Sequence, residues 1–399
     1  MTSTGPDPRE LLRTRRLVVC VGCGGVGKTT LSAAVALEAA RLGRRSLVVT
    51  IDPARRLADA LGVGELGNEP AELPAPVLER LGVRGPGRMY ASMLDMKRTF
   101  DELVERFAES PEVRERILGN PIYQHVSDAL AGSAEYSAME KVHELSSRKE
   151  FDVIVVDTPP AQHALDFLEA PERLVEFLES PLVKLLVHPA FAAGRFGFRI
   201  FHRSAIRILR ILERVSGLAF LEDVSDFLLA FEGMSEGFRR RALEVRRELL
   251  GPDATYFLVA GPGPASRRQV AAFLDRLDRV RVPLHGVVVN RVRVWPGGGG
   301  PPEAIPEAGL EEAARRALAE ALAPAGGEPA EAAAEATIAA TAHYAAAVRS
   351  DARAVAELAG SAARRDCFVR VVPELPADVH DLDGLAAVAR HVFGPGAPA

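Results

Sequence analysis

Short apolar and β-branched runs recur along the chain at Leu17–Val21, Leu47–Ile51, Met89–Leu94, Val153–Val156, Tyr256–Ala260, Gly286–Val289 and Phe368–Val372. Most are apolar at consecutive positions and do not alternate with polar ones. A strand buried on both faces between helix layers has this pattern, which marks a parallel sheet. Helical periodicity separates the runs, so the pattern predicts a doubly wound, mostly parallel α/β sheet. One interval breaks the rhythm. Between Val156 and Tyr256 the chain carries amphipathic helical pattern and no convincing strand, and a shorter helical stretch runs from Lys97 to Arg148. We read residues 95–150 and 165–250 as a helical subdomain inserted in one domain spanning 1–399. Pro296 to Pro302, with its run of glycines, reads as a flexible loop. Beyond it Leu310–Leu322 and Pro329–Leu358 are rich in Ala, Glu and Arg and predict helices broken at Gly326–Gly327, so that 296–360 is loop followed by Ala-rich helix.

The first strand runs straight into Gly22-Cys23-Gly24-Gly25-Val26-Gly27-Lys28-Thr29-Thr30, and a helical stretch, Leu31–Arg41, follows. This is G-x-x-x-x-G-K-[ST] between strand and helix, the context a phosphate-binding loop requires. Glycines let the backbone wrap closely enough for successive N–H groups to point at phosphate oxygens. Lys28 supplies a point charge to the terminal phosphates, Thr29 a hydroxyl to Mg²⁺, and the helix its positive N-terminus. Gly24, Gly25, Val26, Gly27, Lys28, Thr29 and Thr30 are therefore the candidate nucleotide-binding residues. Two aspartates end predicted strands, Asp157 after Val153–Val156 and Asp52 after Leu47–Ile51. Asp157, before Thr158-Pro159-Pro160, can hold Mg²⁺ through its water shell. Asp52 can orient or deprotonate an attacking water, which with Lys28 makes the candidate catalytic pair. The bland alternative for each aspartate is a cap or loop role. Their placement at strand carboxyl ends, in a sheet carrying a phosphate loop, favours the chemical one.

Composition narrows the class. The chain has 399 residues, 48% hydrophobic and 26% charged, which is a globular balance. Lys and Arg number 49 against 54 Asp and Glu, a net charge of −5 that argues against a general nucleic-acid binder. Three Cys exclude a disulfide framework and point to a reducing compartment. Met1–Arg16 has no apolar core, so no signal peptide is visible, and no uncharged apolar run reaches the roughly 18 residues of a membrane span. The expectation is a cytoplasmic protein.

Four motifs in order carry a resemblance. Gly22–Thr30 resembles a deviant Walker A loop, Thr50–Leu57 a switch I, Asp157–Leu165 a switch II and Val287–Arg291 an adenine-site strand, with a weaker match at Val372–Pro376 that adds Pro373. Together they are similar to the ArsA-type anion-transporting ATPases, which include the arsenical pump-driving ATPase and the ATPase that targets tail-anchored membrane proteins. The resemblance implies an ATP- and Mg²⁺-dependent hydrolase, with slow basal turnover expected here. Asp52 would position the hydrolytic water, Asp157 would sense the γ-phosphate and Asn290 would read the adenine edge. It also implies a homodimer, or a pair with a related ATPase subunit, that closes on ATP and opens after hydrolysis. Asn290 offers one acceptor and two donors, and no guanine signature is present, so ATP is expected over GTP.

The departures are informative. Cys23 stands where the family usually carries a Lys that reaches the partner's nucleotide, and Arg55 or Arg56 is the available substitute. None of Cys20, Cys23 and Cys367 lies in the helical insertion, which argues against arsenite transport. Arg195, Arg199, Arg203, Arg207, Arg210 and Arg214 form one row spanning roughly 120° of a helix surface. Such a helix fits a client, a partner or an anionic membrane surface, and a solvated helix face is the alternative. Two other readings share the loop: a positioning ATPase of the partitioning type, and a non-hydrolysing nucleotide-binding scaffold that works with a partner subunit.

Overall fold

The computed structural model describes residues 5–51, 56–120, 133–159, 240–297, 312–322, 330–379 and 381–394, together with 123, 176, 237, 300 and 301. All seven predicted strands form. They are β1 (Leu17–Gly22), β2 (Arg45–Thr50), β4 (Arg88–Met93), β5 (Val153–Asp157), β6 (Ala254–Ala260), β7 (Leu284–Val292) and β8 (Phe368–Pro373). An eighth, β3 (Ala71–Glu72), is two exposed residues pairing antiparallel with β4, too short and too polar to leave a periodic signal. The order across the sheet is β3-β4-β2-β5-β1-β6-β7-β8, and every pair except β3–β4 is parallel.

β1, β5 and β6 are buried along their whole length, as the continuous apolar runs require. Helices are α1 (Pro8–Thr14), α2 (Lys28–Arg41), α3 (Arg56–Leu61), α4 (Ala75–Arg80), α5 (Met96–Phe107), α6 (Pro111–Leu118), α7 (Ser133–Ser147), α8 (Pro264–Val280), α9 (Glu312–Leu322), α10 (Ala330–Ala363) and α11 (Leu382–Phe393). α2 is buried on nearly all sides, from Leu31 to Ala40. It lies between the sheet and α11, and its small Ala side chains allow both to come close. α8 shows the other regime, burying Val270, Phe273, Leu274 and Leu277 on one stripe and leaving the opposite face polar.

α10 extends five residues beyond the predicted Leu358, because Ala362 is still buried at its last turn. It is pinned to the end of β7, where Asp351 accepts from the Arg293 backbone N, Nε and Nη2, each at 3.0 Å. α5, α6 and α7 fall within the stretch read as helical. Most of 165–250, including the row Arg195–Arg214, lies outside the described residues. Among the described residues no helix is long and apolar enough to cross a membrane.

Candidate functional site

Parallel strands deliver their carboxyl ends to one side of the sheet, so the loops after β1, β5, β7 and β8 meet there. The loop after β1 turns into α2 at Gly27, whose backbone sits at φ +89°. A Cβ at Gly27 would lie 2.4 Å from Asn290 Nδ2, so only glycine fits at this point. No side chain caps the first turn of α2 and no acid lies in it. Its N–H groups and dipole therefore favour an anion at the loop.

Asn290 is aimed into the loop by an irregularity in β7. Val289 pairs with Val371 and Val292 with Pro373, so β7 spends one more residue than β8 over this interval. Arg291 absorbs the extra residue in a left-handed conformation, φ +59°. The bulge turns the Asn290 side chain onto the phosphate loop, where Nδ2 donates to Val26 O at 2.8 Å. Besides this bond the amide carries a second N–H donor and an oxygen acceptor.

A cavity of about 600 Å³ opens above this junction, the size class of a small-molecule site. Gly24, Gly25, Gly27, Lys28, Thr29, Thr30, Asn290 and Pro373 all line it. Val26 does not. Its side chain is buried, and its carbonyl is the acceptor for Asn290. Lys28 is buried with Nζ donating to Cys23 O at 2.9 Å, so the ammonium stays inside the loop. Asp52 lies outside the described residues.

Asp157 is fully buried beneath the cavity wall, at the end of β5. Its Oδ2 accepts from Thr50 Oγ1 at 2.9 Å and its Oδ1 from Ser32 Oγ at 3.4 Å. One carboxylate thus joins the ends of β2 and β5 to the second turn of α2. Thr158 continues the link, its Oγ1 donating to Cys20 O at 2.8 Å. Thr29 and Asp157 are hard oxygen donors, the type Mg²⁺ takes, and Mg²⁺ sites that include substrate phosphates need only one or two carboxylates. Cys23 is buried with its thiol directed at Ser266 O, 3.9 Å away. Burial pushes this thiol up from its ordinary pKa, against the pull of Lys28.

Sequence reasoning missed the wall residues Asp59, Ala377, Asp378, Val379 and Val388, and it held Arg291, Glu374 and Leu375 within matched motifs without giving them a role. Arg56, read with Arg55 as the available substitute for the family's Lys, lines the cavity too. The continuation from Ala377 to Val379 was findable in principle, because the matched Val372–Pro376 leads into it from the carboxyl end of a parallel strand.

The anion-transporting ATPase family matches residues 15–294, well over half of the chain. The ATPase get3 of Schizosaccharomyces japonicus is 26% identical over 276 residues, covering 69% of this chain and 74% of the relative. The ATPase ASNA1 homolog of Dictyostelium discoideum is 26% identical over 294 residues, 73% of this chain and 77% of the relative. The ATPase GET3 of Malassezia globosa reaches 30% identity over a shorter 175 residues, 43% of this chain and 48% of the relative.

Proposed function

This chain belongs to the anion-transporting ATPase family, and from that premise we propose that its ATPase cycle drives a dimer switch with a helical client-, partner- or membrane-facing surface. The observation that carries the nucleotide site is the convergence of the phosphate loop, Asn290 and Pro373 on one cavity. In this reading the backbone N–H groups from Gly24 to Thr30 cradle the phosphates and Lys28 neutralises the terminal ones. Asn290 reads the adenine edge, and Pro373 walls the base. Thr29 would hold Mg²⁺ through its hydroxyl, and Asp157 would do so through the metal's water shell. When bound, Mg²⁺ screens the phosphate charge and polarises the bond to be broken. Asp52 orients or deprotonates the attacking water. Asp157, bonded to Thr50 two residues before Asp52, ties that step to the ends of β2 and β5.

Dimer closure on ATP, a cytoplasmic setting and peripheral contact with a membrane or client through Arg195–Arg214 complete the proposal. The positioning and scaffold alternatives are not favoured by the family and relatives matched. Turnover assays with nucleotide titrations test the site. Asp52→Asn is expected to keep ATP binding and lose about 10²–10⁴-fold in kcat, the usual cost of a positioned base. Lys28→Ala is expected to weaken ATP binding itself. Normal turnover by Asp52→Asn removes Asp52 from the mechanism, and equal affinity for ATP and GTP removes Asn290 as the base reader.

A further inference from the structure

Two arginines line the cavity from strands on either side of the phosphate loop. Arg291 lies at the end of β7, beside Asn290, and its Nη2 donates to Asp378 Oδ1 at 3.2 Å, at the rim where the base is read. Arg56 opens α3, just after the carboxyl end of β2, and lines the same cavity together with Lys28, Thr29 and Thr30.

Strand order separates these two cations. Across β2-β5-β1-β6-β7 the phosphate loop sits at the middle strand, with Asn290 two strands to one side and Arg56 leading off two strands to the other. At ~4.8 Å between strands, β2 and β7 are about 19 Å apart, somewhat more than the length of an extended nucleoside triphosphate. A nucleotide with its base at Asn290 and Pro373 and its phosphates over β1 therefore has its tail directed toward β5 and β2. That end of the cavity holds Asp157 beneath it, with Thr158, Asp59 and Arg56 on its wall.

A triphosphate brings about four negative charges, of which Mg²⁺, when bound, and Lys28 offset about three. Arg56 is the further basic side chain on this half of the cavity among the described residues. Cys23, inside the loop, is buried and its thiol is pushed toward the neutral form. Arg56 suits the task. Its guanidinium is planar, permanently charged and matched to phosphate oxygens in a two-point contact. It stands at the start of a helix that packs on α2, so its backbone is held by the same element that carries Lys28.

We propose that Arg56 binds the terminal phosphate of the nucleotide and stabilises the charge that develops there during hydrolysis, supplied from within the same chain. This assignment rests on the nucleotide-binding reading of the cavity. Its chemistry is electrostatic. Water attacks the γ-phosphorus, the bond to the β–γ bridging oxygen breaks, and Arg56 stabilises negative charge on the γ-phosphoryl oxygens without itself gaining or losing a proton.

The test compares the unmodified full chain with Arg56→Ala and Arg56→Lys. It measures affinities for ADP and for a non-hydrolysable ATP analogue, both with Mg²⁺, and single-turnover hydrolysis of ATP. A charge-assisted contact made only to the γ-phosphate predicts that Arg56→Ala loses about ten- to a hundredfold in affinity for the analogue and little for ADP. Hydrolysis falls by at least as much, and Arg56→Lys recovers part of both because it keeps the charge but not the fork. Thermal melting of each variant without nucleotide controls for folding.

Equal losses for ADP and the analogue would overturn the assignment to the terminal phosphate. Unchanged binding and hydrolysis in a folded Arg56→Ala would overturn the role altogether. Failure of the unmodified chain to bind either nucleotide is a different outcome, which removes the nucleotide reading and Arg56 with it.

Discussion

At Gly27 and Asn290 two demands meet on one pair of residues. The loop needs a left-handed residue to turn into α2, and the Asn290 amide, the proposed base reader, needs room to hydrogen-bond Val26 O. Gly27→Ala imposes strain of the order of 1–3 kcal/mol at φ +89° and drives a methyl into the Asn290 amide. We expect ATP affinity to drop by about tenfold or more with the far-ultraviolet circular dichroism unchanged. A fluorescent-nucleotide titration that finds no loss would detach Asn290 from the loop's geometry. Cys23 presents a second local question. Its side chain occupies a buried position against Ser266 O, where an ammonium would be desolvated, so a lysine there must turn outward from the loop. Cys23→Lys is therefore expected to place a charge on the open side of the site and to raise the single-turnover rate or ATP-dependent self-association. If neither quantity moves, the loop does not report to a second subunit through this position.

Among the elements, α7 is the one held most by ionic contacts. Lys141, 1% exposed, has Glu69 at 3.1 Å, Glu102 at 3.2 Å and Glu144 at 3.7 Å, so its buried charge is compensated from the loop before β3, from α5 and from its own helix. Arg148 adds pairs to Glu69 and Glu144, and Glu248, in the helical segment 240–249, bonds both His143 and Ser146. Burial pushes the carboxyls of Glu69, Glu144 and Glu248 up. Arg148 and Lys141 on the first two, and His143 and Ser146 on the third, pull harder, so all three lie below the usual carboxylate range.

The sign follows from linkage. A depressed folded-state pKa means the stabilisation is present above the unfolded value of about 4.3 and is lost as pH falls through the folded values. Below pH ~4 the packing of α7 on α5 and on segment 240–249 should loosen before the sheet does. Hydrogen exchange followed by mass spectrometry would show protection lost first in α7 and retained in β1, β5 and β6. Simultaneous loss everywhere would mean these contacts add nothing local. The β7–β8 edge is held differently, by close packing. Gly286 leaves room for the Phe368 ring, which a Cβ would approach to 2.1 Å, and that ring meets Phe257 edge-on at 5.0 Å between centroids.

On the scale of the whole molecule, the proposed switch requires two copies. We expect sedimentation velocity to show a shift toward dimer with Mg²⁺ and a non-hydrolysable ATP analogue, reversed by ADP. A monomer that stays monomeric without nucleotide, with the analogue and with ADP would exclude the dimer switch. The basic row calls for a separate measurement. Replacing Arg199, Arg203 and Arg207 with Glu should abolish association with anionic vesicles or with an acidic partner and leave ATP binding intact. If the unmodified chain neither floats with such vesicles nor captures a partner, the row is a solvated helix face.

Local pattern carried most of the architecture. An apolar run of five or six residues is buried on both faces wherever it sits in a parallel sheet, so β1, β5 and β6 were legible one run at a time. The phosphate loop was legible for the same reason, since its glycines, Lys28 and Thr29 are contiguous and their chemistry depends on neighbours in the chain. What lay beyond that reach was set by strand order. Asn290 and Val26 are 264 residues apart, and Thr50 and Asp157 are separated by 107. Those bonds exist because β7 lies two strands from β1, and because β2 pairs directly with β5. The bulge at Arg291, the wall from Glu374 to Val379 and the place of Arg56 in the cavity depend likewise on which loops the sheet brings side by side. Periodicity specifies the face a residue presents to its own element. Its distant neighbours are specified by the packing of all the elements together, through contacts whose closure entropy a local sequence pattern does not encode.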